Sequence, residues 1–93
     1  MTTVHDPVAA VQQLLHKHAE LPPTPVRAPL RRAAGLTQQQ VAETIGVRPL
    51  AVLRWESGSV EPRPGVKRAA YIQLLLGLAQ RYPEVVTAAS GEP

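Results

Sequence analysis

The sequence predicts an all-α domain, and three observations carry that expectation. Apolar residues recur at three- and four-residue intervals in several separate runs. These runs are bounded by cap-type residues, prolines and glycines. The segment 35–58, GLTQQQVAETIGVRPLAVLRWESG, also sets two short runs on either side of one glycine, the spacing of two short helices that cross at a sharp angle.

Asp6 and Pro7 read as a cap and a first helical residue, after which Val8, Val11, Leu15 and Ala19 repeat at helical spacing. This extra N-terminal amphipathic helix is broken by Leu21-Pro22-Pro23, a stiff connector. Thr24-Pro25 is a second cap-and-proline start, and Val26, Leu30, Ala33 and Ala34 form the inner stripe of helix 1 of the core. Pro29 removes a backbone donor inside that run, so the helix is expected to kink or start late. Helix 2 is expected over Gln38–Ile45, capped by Thr37, with Gln40 three residues on as the reciprocal half of a capping box.

Ala42 is small enough for a close crossing, and Gly46 can take the positive φ of the turn. Helix 3 is expected over 49–56, with Gly58 as its stop signal. Val41, Ile45, Val47, Val52 and Trp55 fall on the inward faces of the pair. After a loop over 59–65 with two prolines, 66–82 reads as the longest helix. Ile72, Leu75, Leu78 and Ala79 line one side of it, and Leu74 and Leu76 widen the apolar surface beyond what a surface helix needs. Pro83 opens a last helical turn through Ala89. The organisation is therefore 1–23 N-terminal helix and connector, 24–89 core domain and 90–93 flexible tail.

At 93 residues the chain has room for one modest core. It contains no cysteine, which excludes disulfides, thiolate zinc sites and a cysteine nucleophile. The start, MTTVHDP, lacks the basic and apolar regions of a secretory signal, and no apolar run approaches a membrane span; a cytoplasmic location is expected. The net charge is +3, but Arg27, Arg31, Arg32, Arg48, Arg54, Arg63, Lys67 and Arg68 face only Glu43, Glu56 and Glu61 in the middle of the chain. That concentration suits a polyanionic partner. The absence of Asn and Phe, with Arg far exceeding Lys, suggests the residue bias of a G+C-rich, actinobacterial-type genome.

LRRAAGLTQQQVAETIGV, the RWESG that follows and the Pro-Arg-Pro loop before YIQLL resemble the Xre/Cro group of lambda-repressor-like helix-turn-helix domains over 30–82. The resemblance implies a lambda-repressor-like bundle of about five helices that binds double-stranded DNA with helix 3 in the major groove. By position, Gln38 would touch the backbone or an outer base, and Thr37 and Gln39 could add phosphate hydrogen bonds; the alternative for this run is a solvated, capped helix start. At helix 3 the chain departs from the group's usual polar start, placing Arg48 at the cap and Pro49 and Leu50 after it. Pro49 suits a first helical position whether or not it meets DNA. Leu50 either packs on a pyrimidine methyl or tucks against the loop. Ala51 permits close approach.

Arg54, four residues after Leu50 on the same face, is the leading base reader, since a guanidinium can bind guanine O6 and N7 together. Arg48 reaches a phosphate or a base, or is simply solvated. Arg63, Lys67 and Arg68 are expected at phosphates, with a solvated charge cluster as the alternative. Trp55 is expected in the core. The resemblance also implies an internal ion pair between Arg31 and Glu56, tying helix 1 to the end of helix 3.

Nothing points to catalysis or to a cofactor. His16 and His18 are two apart and cannot hold a metal from one helix face, no carboxylate pair suggests a general acid and base, and no serine has a supporting constellation. The favoured function is a small bacterial, phage or plasmid transcriptional regulator, more a repressor than an activator, acting as a homodimer on a pseudo-palindrome. The leucines of 66–82 are the first candidate dimer surface and the N-terminal helix the second. The runner-up is an adaptor or antitoxin-like module that holds a protein partner and binds DNA weakly, supported by the apolar Pro49-Leu50 pair. A replication or partition accessory protein would use the same DNA chemistry.

Overall fold

The computed structural model describes residues 7, 8, 11 and 20–89. Five helices follow one another: α1 Thr24–Ala33, α2 Gln38–Ile45, α3 Pro49–Ser57, α4 Val66–Arg81 and α5 Pro83–Ala89. No strand occurs among the described residues. Pro7, Val8 and Val11 are helical and exposed. Asp6, Leu15 and Ala19 of the expected N-terminal helix, the three histidines and the tail 90–93 lie outside the described residues.

The start of α1 differs from the expectation. Thr24 is already helical, Pro23 holds the cap position without a side-chain hydrogen bond, and the first turn closes from Val26 N to Pro23 O at 3.0 Å. The Thr24 side chain lies instead against Gly58, where an added Cβ would meet it at 3.2 Å. Pro29 neither stops nor delays the helix. The donor it lacks would have served the carbonyl of Pro25, an exposed residue of the first turn, where loss of one bond is tolerated. Of the expected stripe Val26 and Leu30 are buried and Ala34 is half-buried, but Ala33 is exposed. Arg27 takes a buried position beside Val26.

The boundaries of α2 agree with its sequence signals. Thr37 Oγ1 accepts from Gln40 N at 3.0 Å, and Gln40 Oε1 accepts from Thr37 N at 2.8 Å, closing the capping box. Gly46 ends the helix at φ 92°, a left-handed conformation open to glycine without the steric cost of a Cβ. Gly58 ends α3 in the same way at φ 79°.

Val26, Leu30, Val41, Ala42, Val52, Trp55, Tyr71, Leu75 and Leu78 form one core. It sits where α1 packs on α3, α4 and α5, and where α2 packs on α3 and α4. Trp55 and Tyr71 stack at the centre with ring centroids 4.8 Å apart and tilted by 42°, within the range of favourable aromatic pairs. Ile45 and Val47 are only partly buried at its edge. The apolar breadth of α4 is largely internal: Leu75 and Leu78 enter the core, Ile72 is also buried, and Leu74 packs against the core together with Val85, Val86 and Ala89 of α5. Leu76 remains exposed.

Candidate nucleic-acid interface

α3 has two faces of opposite character. Val52 and Trp55 are buried, whereas Pro49, Leu50, Leu53, Arg54 and Ser57 are exposed. Residues 50, 53 and 54 are three and four apart and share one side of the helix. Among the described residues the Arg54 side chain makes no hydrogen bond or ion pair, so its donors are free. Arg48 caps the helix start in an extended conformation, and Pro49 follows at the first turn, where a missing N–H removes no helical bond. Ala51 is half-buried and packs against the core, so it belongs to the inner side.

Two arginines of α1 fix the inner face. Arg31 Nε donates to Glu56 Oε2 at 2.5 Å and Nη2 to Oε1 at 3.1 Å, and Nη1 donates to the carbonyl of Leu36 at 2.9 Å. The expected ion pair is present and well shielded, with the two side chains 12% and 6% exposed. Its hydrogen bond to Glu56, aided by that carboxylate's charge and opposed by burial, raises the Arg31 pKa above its ordinary value. Arg27, four residues earlier on the same side of α1, was counted in the sequence only as part of the basic surface. It is buried and donates from Nε to Pro22 O at 2.8 Å, from Nη1 to Trp55 O at 2.9 Å, and to both carboxylate oxygens of Glu61 at 3.2 Å. Arg27 lies one helical turn before Arg31, and Glu61 lies five residues after Glu56; that parallel is the signal that could have revealed the second pair.

These pairs leave the sign of the surface unchanged, because each removes one charge of either kind. Arg32, Arg48, Arg54, Arg63 and Lys67 are exposed, and none of their side chains is paired among the described residues. Arg68 is half-buried, and its Nη1 ties α4 to the preceding loop through Pro62 O at 3.2 Å. Arg63 and Lys67 flank a groove of about 500 Å³ with Trp55, Val60, Pro62 and Val66. At the start of α2, Thr37 is exposed and engaged in its cap, Gln39 Nε2 donates to Glu43 Oε2 at 3.2 Å, and Gln38 Nε2 donates to Glu56 Oε1 at 2.9 Å. Gln38 is therefore bound into the Arg31–Glu56 network and only partly exposed. The sequence reading missed Leu53, which is 47% exposed beside Leu50 at 51%.

Among the described residues no group of His, Asp or Glu is arranged to hold a metal ion, and no helix is long and apolar enough to cross a membrane.

Two short helices joined at a left-handed glycine, with a fixed inner face and a cationic outer one, define a helix-turn-helix domain. Residues 30–69 match the family described as Helix-turn-helix. This segment is thus a helix-turn-helix of the Xre/lambda-repressor-like type, the motif of DNA-binding regulators. No curated protein and no solved structure matched the chain.

Proposed function

We propose that the chain binds double-stranded DNA sequence-specifically through α3 and represses transcription by occupying an operator. The observation that carries this reading is the outer face of α3, where Arg54, unpaired among the described residues, projects from a helix held from behind by Arg27, Arg31 and Trp55. A guanidinium on a rigid helix is suited to guanine O6 and N7 in the major groove. Arg48 contacts a phosphate or a base at the helix tip, while Thr37, Gln39, Arg63, Lys67 and Arg68 serve phosphates. Gln38 does so through whatever donor capacity its bond to Glu56 leaves.

One such unit covers a single half-site, so a two-fold homodimer on a pseudo-palindrome completes the proposal, with half-sites about one helical turn apart. With the other α4 leucines in or against the core, Leu76 and Val66 are the exposed large apolar residues that α4 offers to a partner copy. Selection of bound duplexes from a random library with purified protein tests the reading. Enrichment of a two-fold site is the expected result, and failure to enrich any sequence would count against it.

A second reading has its own support in Leu50 and Leu53, two exposed leucines on the expected DNA face. An adaptor that holds a protein partner there would bind duplex DNA weakly and with little dependence on salt.

A further inference from the structure

The outer face of α3 offers an unusually short list of chemistries. Among the described residues it has one unpaired guanidinium, Arg54, and two exposed leucines, Leu50 and Leu53, while the Ser57 hydroxyl is bonded to the Arg54 carbonyl and to Ser59. Asn and Gln, which read adenine through N6 and N7, are absent from Pro49–Ser57. Gln38 and Gln39 lie on α2, not on α3, and each spends an amide N–H within the chain, on Glu56 and on Glu43. A carboxylate could accept from cytosine N4, but the one carboxylate on α3, Glu56, is held by Arg31 and Gln38. What remains matches two features of the major groove: the O6 and N7 acceptors of guanine, and the C5-methyl group of a pyrimidine, the groove's apolar feature.

We infer that α3 reads a 5-methylated pyrimidine, thymine or 5-methylcytosine, next to the guanine taken by Arg54, with Leu50 and Leu53 packing on the methyl group. The inference rests on the proposed DNA reading and names its target chemistry. Leu50 is three residues from Leu53 and four from Arg54, so all three reach one stretch of groove floor. The surrounding charge fits a polyanion carrying a local apolar group better than an apolar protein surface. Arg48, Arg63 and Lys67 are exposed and unpaired among the described residues, while Glu56 and Glu61 are paired with arginines. Burying one methyl group contributes enough for about a fourfold change in affinity.

The test begins from the duplex enriched by selection. Replacing each thymine in turn by uracil removes only the methyl, and replacing cytosine beside the guanine by 5-methylcytosine adds one. Affinity is expected to fall about fourfold for uracil at the read position. A position enriched as cytosine should gain by about the same factor on methylation, which separates the two sources of the group. The double variant Leu50→Ala/Leu53→Ala should lose both differences. Both positions are exposed, so folding should survive, and circular dichroism checks this. Equal affinity for methylated and unmethylated duplexes, or discrimination that persists in the double variant, would overturn the inference while leaving sequence-specific binding intact. Enrichment of no duplex would remove the DNA reading and this inference together, and would hand the leucine pair to a protein partner.

Discussion

Arg27 Nη1 donates to the main-chain carbonyl of Trp55 at 2.9 Å, joining residues 28 apart in sequence. Trp55 lies in the last turn of α3, where carbonyls have no partner within the helix. A buried guanidinium on α1 therefore satisfies the C-terminal end of α3, and its charge is favourable beside a helix C-terminus. The same group is steadied by Glu61 from the following loop, so α1, α3 and that loop meet at one side chain.

Replacing this arginine with an apolar group of similar length separates its hydrogen bonds from its packing. Arg27→Met should lower unfolding free energy by roughly 1–3 kcal/mol, the cost of leaving a buried carbonyl without its donor. Urea denaturation checks it. A midpoint equal to that of the parent would show that water replaces the guanidinium at no cost.

Arg31→Ala should be as damaging or more so, because it leaves the shielded Glu56 carboxylate with only Gln38 as a hydrogen-bonding side chain. Breaking a buried pair from one side typically costs about 3–5 kcal/mol, and Gln38 should hold the loss near the lower end. The melting temperature reports it, and an unchanged melting curve would mean the pair contributes nothing.

Tyr71 makes stability depend on alkaline pH. Its hydroxyl is buried without a hydrogen-bond partner among the described residues. Burial first, and then the charge of Glu56, push its pKa up to about 12 from an ordinary 10.0. An acid whose pKa is raised on folding favours the folded state while the unfolded chain is still protonated, and loses that advantage as pH rises. Stability should therefore fall between about pH 10 and 12, by up to roughly 2–3 kcal/mol. Tyr71→Phe should remove that slope and leave stability at pH 7 unchanged or slightly higher, since it deletes an unpaired polar group. A marked loss of stability at neutral pH in this variant would show that the hydroxyl is bonded after all.

On the proposed DNA face, Arg54→Ala should cost roughly 1–3 kcal/mol of binding and relax preference at one base pair. The same loss on every sequence would make Arg54 a phosphate contact instead. Competition with half-site variants distinguishes these outcomes.

Salt dependence measures the phosphate contacts as a group. Neutralising about four to six phosphates would give a slope near −4 to −5 in a plot of log affinity against log salt. Lys67→Ala should make the slope shallower by about one unit and weaken binding evenly across sequences. A slope near zero in the parent would favour the protein-partner reading.

Short-range chemistry is legible in the order of the residues. Thr37 and Gln40 announced the cap of α2, Gly46 and Gly58 the two left-handed stops, and Pro49 and Pro83 the starts of α3 and α5, because each acts on backbone groups a few residues away. The inward positions of Val41, Val52 and Trp55 were legible for the same reason, since a helix of known phase fixes which residues share a side. Periodicity misassigned Ala33, which lies at the exposed end of α1, and the proline signals at Thr24 and Pro29 were overridden by packing and by position in the first turns. Which charges are surface and which are internal depends on how the helices assemble. An arginine in sequence is basic wherever it falls, but Arg27 becomes a buried tie only when α1 crosses the end of α3 and Glu61 swings beneath it. The exposure of Leu53 was likewise settled by assembly: α1 and α2 cover the Val52 and Trp55 side of α3, and the leucine side is left to whatever the helix binds.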